Sequence, residues 1–119
     1  MISRTILSAM LALAMMPMAA HAHAMLERAS PAVGGTVASA PRALSLTFTE
    51  NLEPAFCTVR VENASGARVD QGKPQIGGSR NVLRVNLKAL SPGSYKVIWK
   101  VLSVDTHTTQ GSFTFRVGQ

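Results

Sequence analysis

From Leu44 to Val117 apolar and polar residues alternate one for one in short runs, a period that a half-buried β-strand satisfies and a helix does not. Leu44, Leu46 and Phe48 alternate with Ser45, Thr47 and Thr49, and Cys57, Val59 and Val61 with Thr58, Arg60 and Glu62. The same beat sets Leu83, Val85 and Leu87 against Arg84, Asn86 and Lys88, then Tyr95, Val97, Trp99 and Val101 against Lys96, Ile98 and Lys100; Phe113, Phe115 and Val117 close the series. Between the runs lie Ser39-Ala40-Pro41, Asn63-Ala64-Ser65-Gly66, Gly77-Gly78-Ser79 and Ser91-Pro92-Gly93, turn chemistry in which Gly supplies positive φ and Pro fixes φ. With a further strand at Met25 to Ala29 and room for one more in the Gly-rich stretch Asn63 to Asn81, read as a hairpin or long loop, the pattern predicts a small all-β domain. The expected architecture is an antiparallel Greek-key β-sandwich or barrel, Ig-like, of about seven strands, with no helix.

The first residues do not belong to this pattern. Arg4 is a short positive region, Thr5 to Met16 an apolar stretch, and Ala20-His21-Ala22 an A-x-A cleavage signal, so residues 1–22 read as a secretory signal peptide and 23–119 as one mature domain. The stretch is shorter than a membrane span needs and ends at Pro17 among small residues. Without it, and so without Arg4, the formal charge falls from +6 to +5, and Met25 is the one methionine left. No later segment is long and apolar enough to cross a membrane, so the mature chain is expected in an exported compartment. Its basic residues are scattered singly with few aromatics between them, which argues against nucleic-acid binding and for a solvated basic surface. Cys57, the single cysteine, has no partner for an internal disulfide.

Hydrolytic chemistry has little support. Only His23 and His107 remain in the mature chain, neither beside a Ser or Cys in a local motif, and neither a phosphate-cradling Gly loop nor a glycosidase-like carboxylate pair is present. What stands out is Asp105-Thr106-His107, between the Tyr95 and Phe113 runs. In an extended chain residues i and i+2 share a face, so Asp105 and His107 can present a carboxylate oxygen and an imidazole nitrogen side by side. Cleavage after Ala22 makes His23 the new N-terminus and adds an amine and a second imidazole. Three nitrogens and one oxygen suit a tetragonal Cu(II) ion, with Zn(II) as the alternative.

His23-Ala24-Met25-Leu26, Ala29-Ser30-Pro31-Ala32, Leu46-Thr47-Phe48-Thr49-Glu50-Asn51-Leu52, Ser91-Pro92-Gly93-Ser94-Tyr95-Lys96-Val97-Ile98-Trp99, Ser103-Val104-Asp105-Thr106-His107 and Gly111-Ser112-Phe113-Thr114-Phe115 together resemble, in order and over almost the whole mature chain, the CopC family of periplasmic copper-resistance proteins. The resemblance implies a seven-stranded, cupredoxin-like Greek-key barrel that binds one Cu(II) near one end, through the amine and imidazole of His23, the Asp105 carboxylate and the His107 imidazole. It also implies a place for Glu50 near that end, as an acceptor beside the ligands. Some family members carry a Met-rich Cu(I) loop between the middle strands. Asn63 to Asn81 holds no Met or His, so no Cu(I) site is expected here. The resemblance further suggests a periplasmic monomer that partners an inner-membrane copper permease of the CopD family.

Cys57 shares a strand face with Val59 and Val61, and Tyr95 shares one with Trp99, so all of these read as core. The leading function is a non-enzymatic Cu(II) buffer or carrier whose affinity falls as pH drops through the histidine range, since copper displaces protons from amine and imidazole. One alternative is an oxidative enzyme with an N-terminal-His copper brace, against which Asp105 would fill a position that oxygen needs. Another is a metal-free Ig-like interaction domain. Cleavage after Ala24 would remove His23, and cleavage after Ala20 would leave His21-Ala22-His23, a different and self-contained Cu(II) chelate.

Overall fold

The computed structural model describes residues 24–119; the expected signal segment and His23 lie outside the described residues. Eight strands form in chain order: β1 (Leu26–Ser30), β2 (Thr36–Val37), β3 (Ala43–Phe48), β4 (Thr58–Glu62), β5 (Asp70–Gly77), β6 (Ser79–Leu87), β7 (Gly93–Leu102) and β8 (Thr108–Val117). A 3-10 turn, Pro54–Phe56, with Pro at its start, lies between β3 and β4. The strands build two four-stranded sheets, ordered β1-β3-β6-β5 and β2-β8-β7-β4. Only β5–β6 and β7–β8 are joined within a sheet; every other connection crosses to the opposite layer. This is the strand order of an immunoglobulin-type sandwich, with the short β2 as an added edge strand.

The alternation sorts residues between core and water as expected. Along β7, Tyr95, Val97, Trp99 and Val101 are buried while Lys96 and Lys100 are exposed, and along β8 Phe113, Phe115 and Val117 are buried. From the other sheet Leu44, Leu46, Phe48, Leu83, Val85 and Leu87 meet them in one continuous core. Phe48 meets Trp99 edge to face at 5.2 Å, and Tyr95 stacks on Phe115 at 5.5 Å. The Tyr95 hydroxyl donates to the Ser91 carbonyl, pinning the crossing from β6 to the start of β7 as the tyrosine corner does in immunoglobulin-type domains. The Trp99 ring lies over Gly111, its partner on β8, where a Cβ would meet ring atom Cζ2 at 2.6 Å.

One feature differs from expectation: β2 pairs in parallel with β8, so the second sheet is mixed, and two residues are too few to show a period. The Gly-rich stretch forms the expected hairpin, though an irregular one: β5 runs antiparallel to β6 with register shifts around Gln71 to Gln75 and at Gly77, and Gly78, at φ 106°, turns the chain into Ser79. Beside it, the Asp70 carboxylate accepts the Val61 N–H at 2.8 Å and the Arg68 Nη2 at 2.8 Å, covering part of the open edge of β4.

Candidate metal centre

The β7–β8 connection, Ser103 to His107, stands at one end of the sandwich. The Ser103 N–H donates to the His107 carbonyl at 3.0 Å and the Thr106 N–H to the Ser103 carbonyl at 2.8 Å, closing a tight turn. The segment leaving β3 braces it: Leu52 and Ser103 form an antiparallel bridge, and the Val104 N–H donates to the Asn51 carbonyl at 3.0 Å. Glu50, half-buried, begins that bracing segment.

This turn brings Asp105 and His107 together, with Asp105 Oδ1 3.3 Å from His107 Nδ1 and the side chains 36% and 51% exposed. The reason differs from the extended-chain argument. Both residues lie in the turn, and Thr106 between them adopts φ 72°, a left-handed conformation that a β-branched residue rarely takes. Strained backbone of this kind persists where the surroundings over-determine it, as the paired Ser103 and His107 backbones do here. The Ser103 hydroxyl, 0% exposed, donates to Asp105 Oδ1. That bond, followed by those from His107, holds the Asp105 carboxyl below the usual carboxylate range.

The start of the described chain is tied to the same end. The Thr109 hydroxyl, two residues beyond His107, donates to the Ala24 carbonyl at 2.6 Å. Met25 exchanges backbone and side-chain bonds with Thr49 at 2.9 Å, and Ala24 is fully buried. The described chain therefore begins anchored to β8 and to the end of β3. Among the described residues no three His, Cys, Asp or Glu side chains gather as a metal cluster; Asp105 and His107 supply a carboxylate–imidazole pair. Both donors are of types that divalent first-row metals accept.

The arrangement does not make a nucleophilic triad. A triad sets histidine between the nucleophile and the carboxylate, whereas here Asp105 stands between Ser103 and His107, and Ser103 is sealed from solvent. Cys57 is 5% exposed, and burial pushes its thiol up. Met25, the only methionine among the described residues, is 58% exposed beside Thr49. The hydroxyl residues Ser103, Thr109 and Thr49 were not singled out from sequence. Of the three, Ser103 alone falls within the S-x-D-x-H spacing of the turn.

Comparison with known proteins places the chain in a family. Residues 26–118 match the family model described as the CopC domain. The chain is 33% identical over 116 residues to copper resistance protein C of Xanthomonas campestris pv. juglandis, covering 91% of this chain and 90% of that protein. It is 31% identical over 112 residues to the copper transport protein CutJ of Bacillus subtilis (strain 168), covering 92% of this chain but only 21% of CutJ. The crystal structure of CopC from Methylosinus trichosporium OB3b superposes with a TM-score of 0.76 at 30% identity, over 81% of this chain and 94% of that one.

Proposed function

Because this chain belongs to the CopC family, we propose that it is an exported Cu(II)-binding protein that takes one copper ion per chain and buffers or delivers it. The observation that carries the reading is the Asp105–His107 pair, 3.3 Å apart in a braced turn, with the chain start tied two residues away at Thr109. In this reading the His23 amine and imidazole complete the ligand set once residues 1–22 are removed, and Glu50 is an acceptor beside it. Signal cleavage puts the mature domain in the periplasm; no helix among the described residues is long and apolar enough to cross a membrane.

Copper moves on and off by ligand exchange. Binding displaces protons from amine and imidazole, so acid opposes uptake. The role is that of a carrier and not an enzyme: a sealed Ser103 and an Asp105 already paired with His107 leave no nucleophile poised for substrate. With Met25 the only methionine in the mature chain, one Cu(II) site and no methionine-rich Cu(I) site is the reading. The likeness to a stretch of CutJ, a protein named for copper transport, supports a part in moving copper; in this reading the carrier is a monomer that delivers to a membrane permease of the CopD family.

Native mass spectrometry of the exported, untagged protein with one equivalent of Cu(II) tests this. The expected result is a chain beginning at His23 that gains one copper against a competing chelator, with His107→Ala losing that resistance. A chain beginning at Met25, no copper uptake, or His107→Ala holding copper as tightly as the parent refutes it.

A further inference from the structure

Ser103 is the most buried polar residue of the turn and the one whose hydroxyl faces the carboxylate proposed to hold copper. Its backbone is held on both sides. The bridge to Leu52 and the bond to the His107 carbonyl orient the residue without help from any ion. The hydroxyl donates to Asp105 Oδ1, the same oxygen that stands 3.3 Å from His107 Nδ1, and it lies 3.3 Å from the His107 carbonyl. One buried donor thus touches both residues of the pair.

An aspartate on a turn rotates freely about its terminal torsion, which is broad and roughly two-fold. Fixing it costs conformational entropy at the moment a ligand binds, unless another group has already fixed it. Ser103 is such a group: it is sealed from solvent and set by backbone bonds. We propose, resting on the copper reading above, that Ser103 is a positioning residue of the metal centre. Its hydroxyl fixes the Asp105 carboxylate through Oδ1 and, with it, the orientation of the paired His107 ring. Partners of this kind behind metal ligands tune affinity by about 10–100-fold when removed.

The test compares wild type, Ser103→Ala, Ser103→Thr, Asp105→Ala and the Ser103→Ala/Asp105→Ala pair, each exported untagged so that the chain begins at His23. Chelator competition gives the Cu(II) Kd, electron paramagnetic resonance the ligand field, and metal-free melting the fold. Ser103→Ala is expected to bind Cu(II) about 10–100-fold more weakly, with altered copper hyperfine values and a metal-free Tm close to wild type. Ser103→Thr, which keeps the hydroxyl, restores both copper readouts. Adding Ser103→Ala to Asp105→Ala changes nothing further, because the hydroxyl acts through that carboxylate. Wild-type affinity and spectrum in Ser103→Ala, equal weakening in the Asp105→Ala background, or a Ser103→Ala chain that does not fold each overturn the role. A wild-type chain that takes up no copper overturns the copper reading itself, an outcome visible before any variant is made.

Discussion

Replacing Gly111 with alanine probes the packing beneath the β7–β8 turn. The new Cβ would lie 2.6 Å from Trp99 Cζ2, 3.0 Å from Cε2 and 3.3 Å from Cη2. These atoms belong to a ring that is 8% exposed and held edge to face against Phe48 at 5.2 Å, so the ring cannot swing aside into solvent. Overpacking of this kind costs about 1–3 kcal/mol. A shifted ring also gives up part of an aromatic pair worth about 0.5–1.5 kcal/mol. Against this, alanine restricts the unfolded chain and returns about 0.4–1 kcal/mol. The net expectation is a loss of about 1–3 kcal/mol, which in a domain of this size lowers Tm by roughly 5–20 °C. Thermal and urea unfolding measure it, with an unchanged m-value marking a pure stability effect. Trp99→Phe removes the clashing atoms, so Gly111→Ala should cost much less in that background than in the parent. A Tm at or above wild type, or strictly additive losses, would refute the steric argument.

Other perturbations follow from individual bonds. Burial alone would raise the Asp70 carboxyl, but bonds from Arg68 and the Val61 N–H outweigh it and hold the group below the usual carboxylate range. Its stabilisation is therefore present above the unfolded value, about 3.9, and is lost as pH falls through the lower folded value. Asp70→Asn should cost about 1 kcal/mol near neutrality, with the gap to wild type closing in strong acid; a gap independent of pH in urea titrations would contradict the assignment. Thr109→Val keeps the shape but removes the donor to the Ala24 carbonyl, costing about 0.5–1.5 kcal/mol and weakening Cu(II) binding in chelator competition; an unchanged Kd would separate the tie from the site. Native Cys57, buried and with its thiol pushed up, should react with a disulfide reagent no faster than the protein opens; immediate reaction at pH 8 would place the thiol at the surface.

How much of this was legible in sequence depends on how many residues each feature spans. The strands around Leu46, Val59, Val85, Val97 and Phe115 show their period because each sheet buries one face and wets the other, so alternation is written along the chain. Strand β2 has no room for a period, and in β5 Gly72, Pro74 and Gly77 interrupt it where the register shifts. The Asp105–His107 pairing could be read from spacing, although the agent is a left-handed Thr106 and not an extended strand. Ser103 and Thr109 could not, because a hydroxyl acquires a role only from what the fold sets against it, and their partners are Asp105 two residues away and Ala24 eighty-five residues away.

The location of the turn follows from the strand order. In this sandwich the β7–β8 connection, the exit of β3 and the entry to β1 share one end, so the Asp105–His107 pair and the start of the described chain lie at the same end without any segment devoted to bringing them together. The core beneath, from Phe48 and Trp99 to Leu83 and Phe115, closes on apolar packing alone and includes no proposed ligand. A metal that draws its ligands from such a folded frame differs from one that must fold its own site, as in small zinc domains. On the copper reading, the metal-free chain stays folded, and copper adds stability only in proportion to its concentration over Kd. Ion release then requires exchange of ligands at one exposed end and leaves the rest of the domain intact, which is what a carrier handing copper to a second protein needs. Metal-free melting checks this directly: a cooperative transition well above 37 °C, moved upward by Cu(II), is expected, and a chain unfolded until copper is added would refute it.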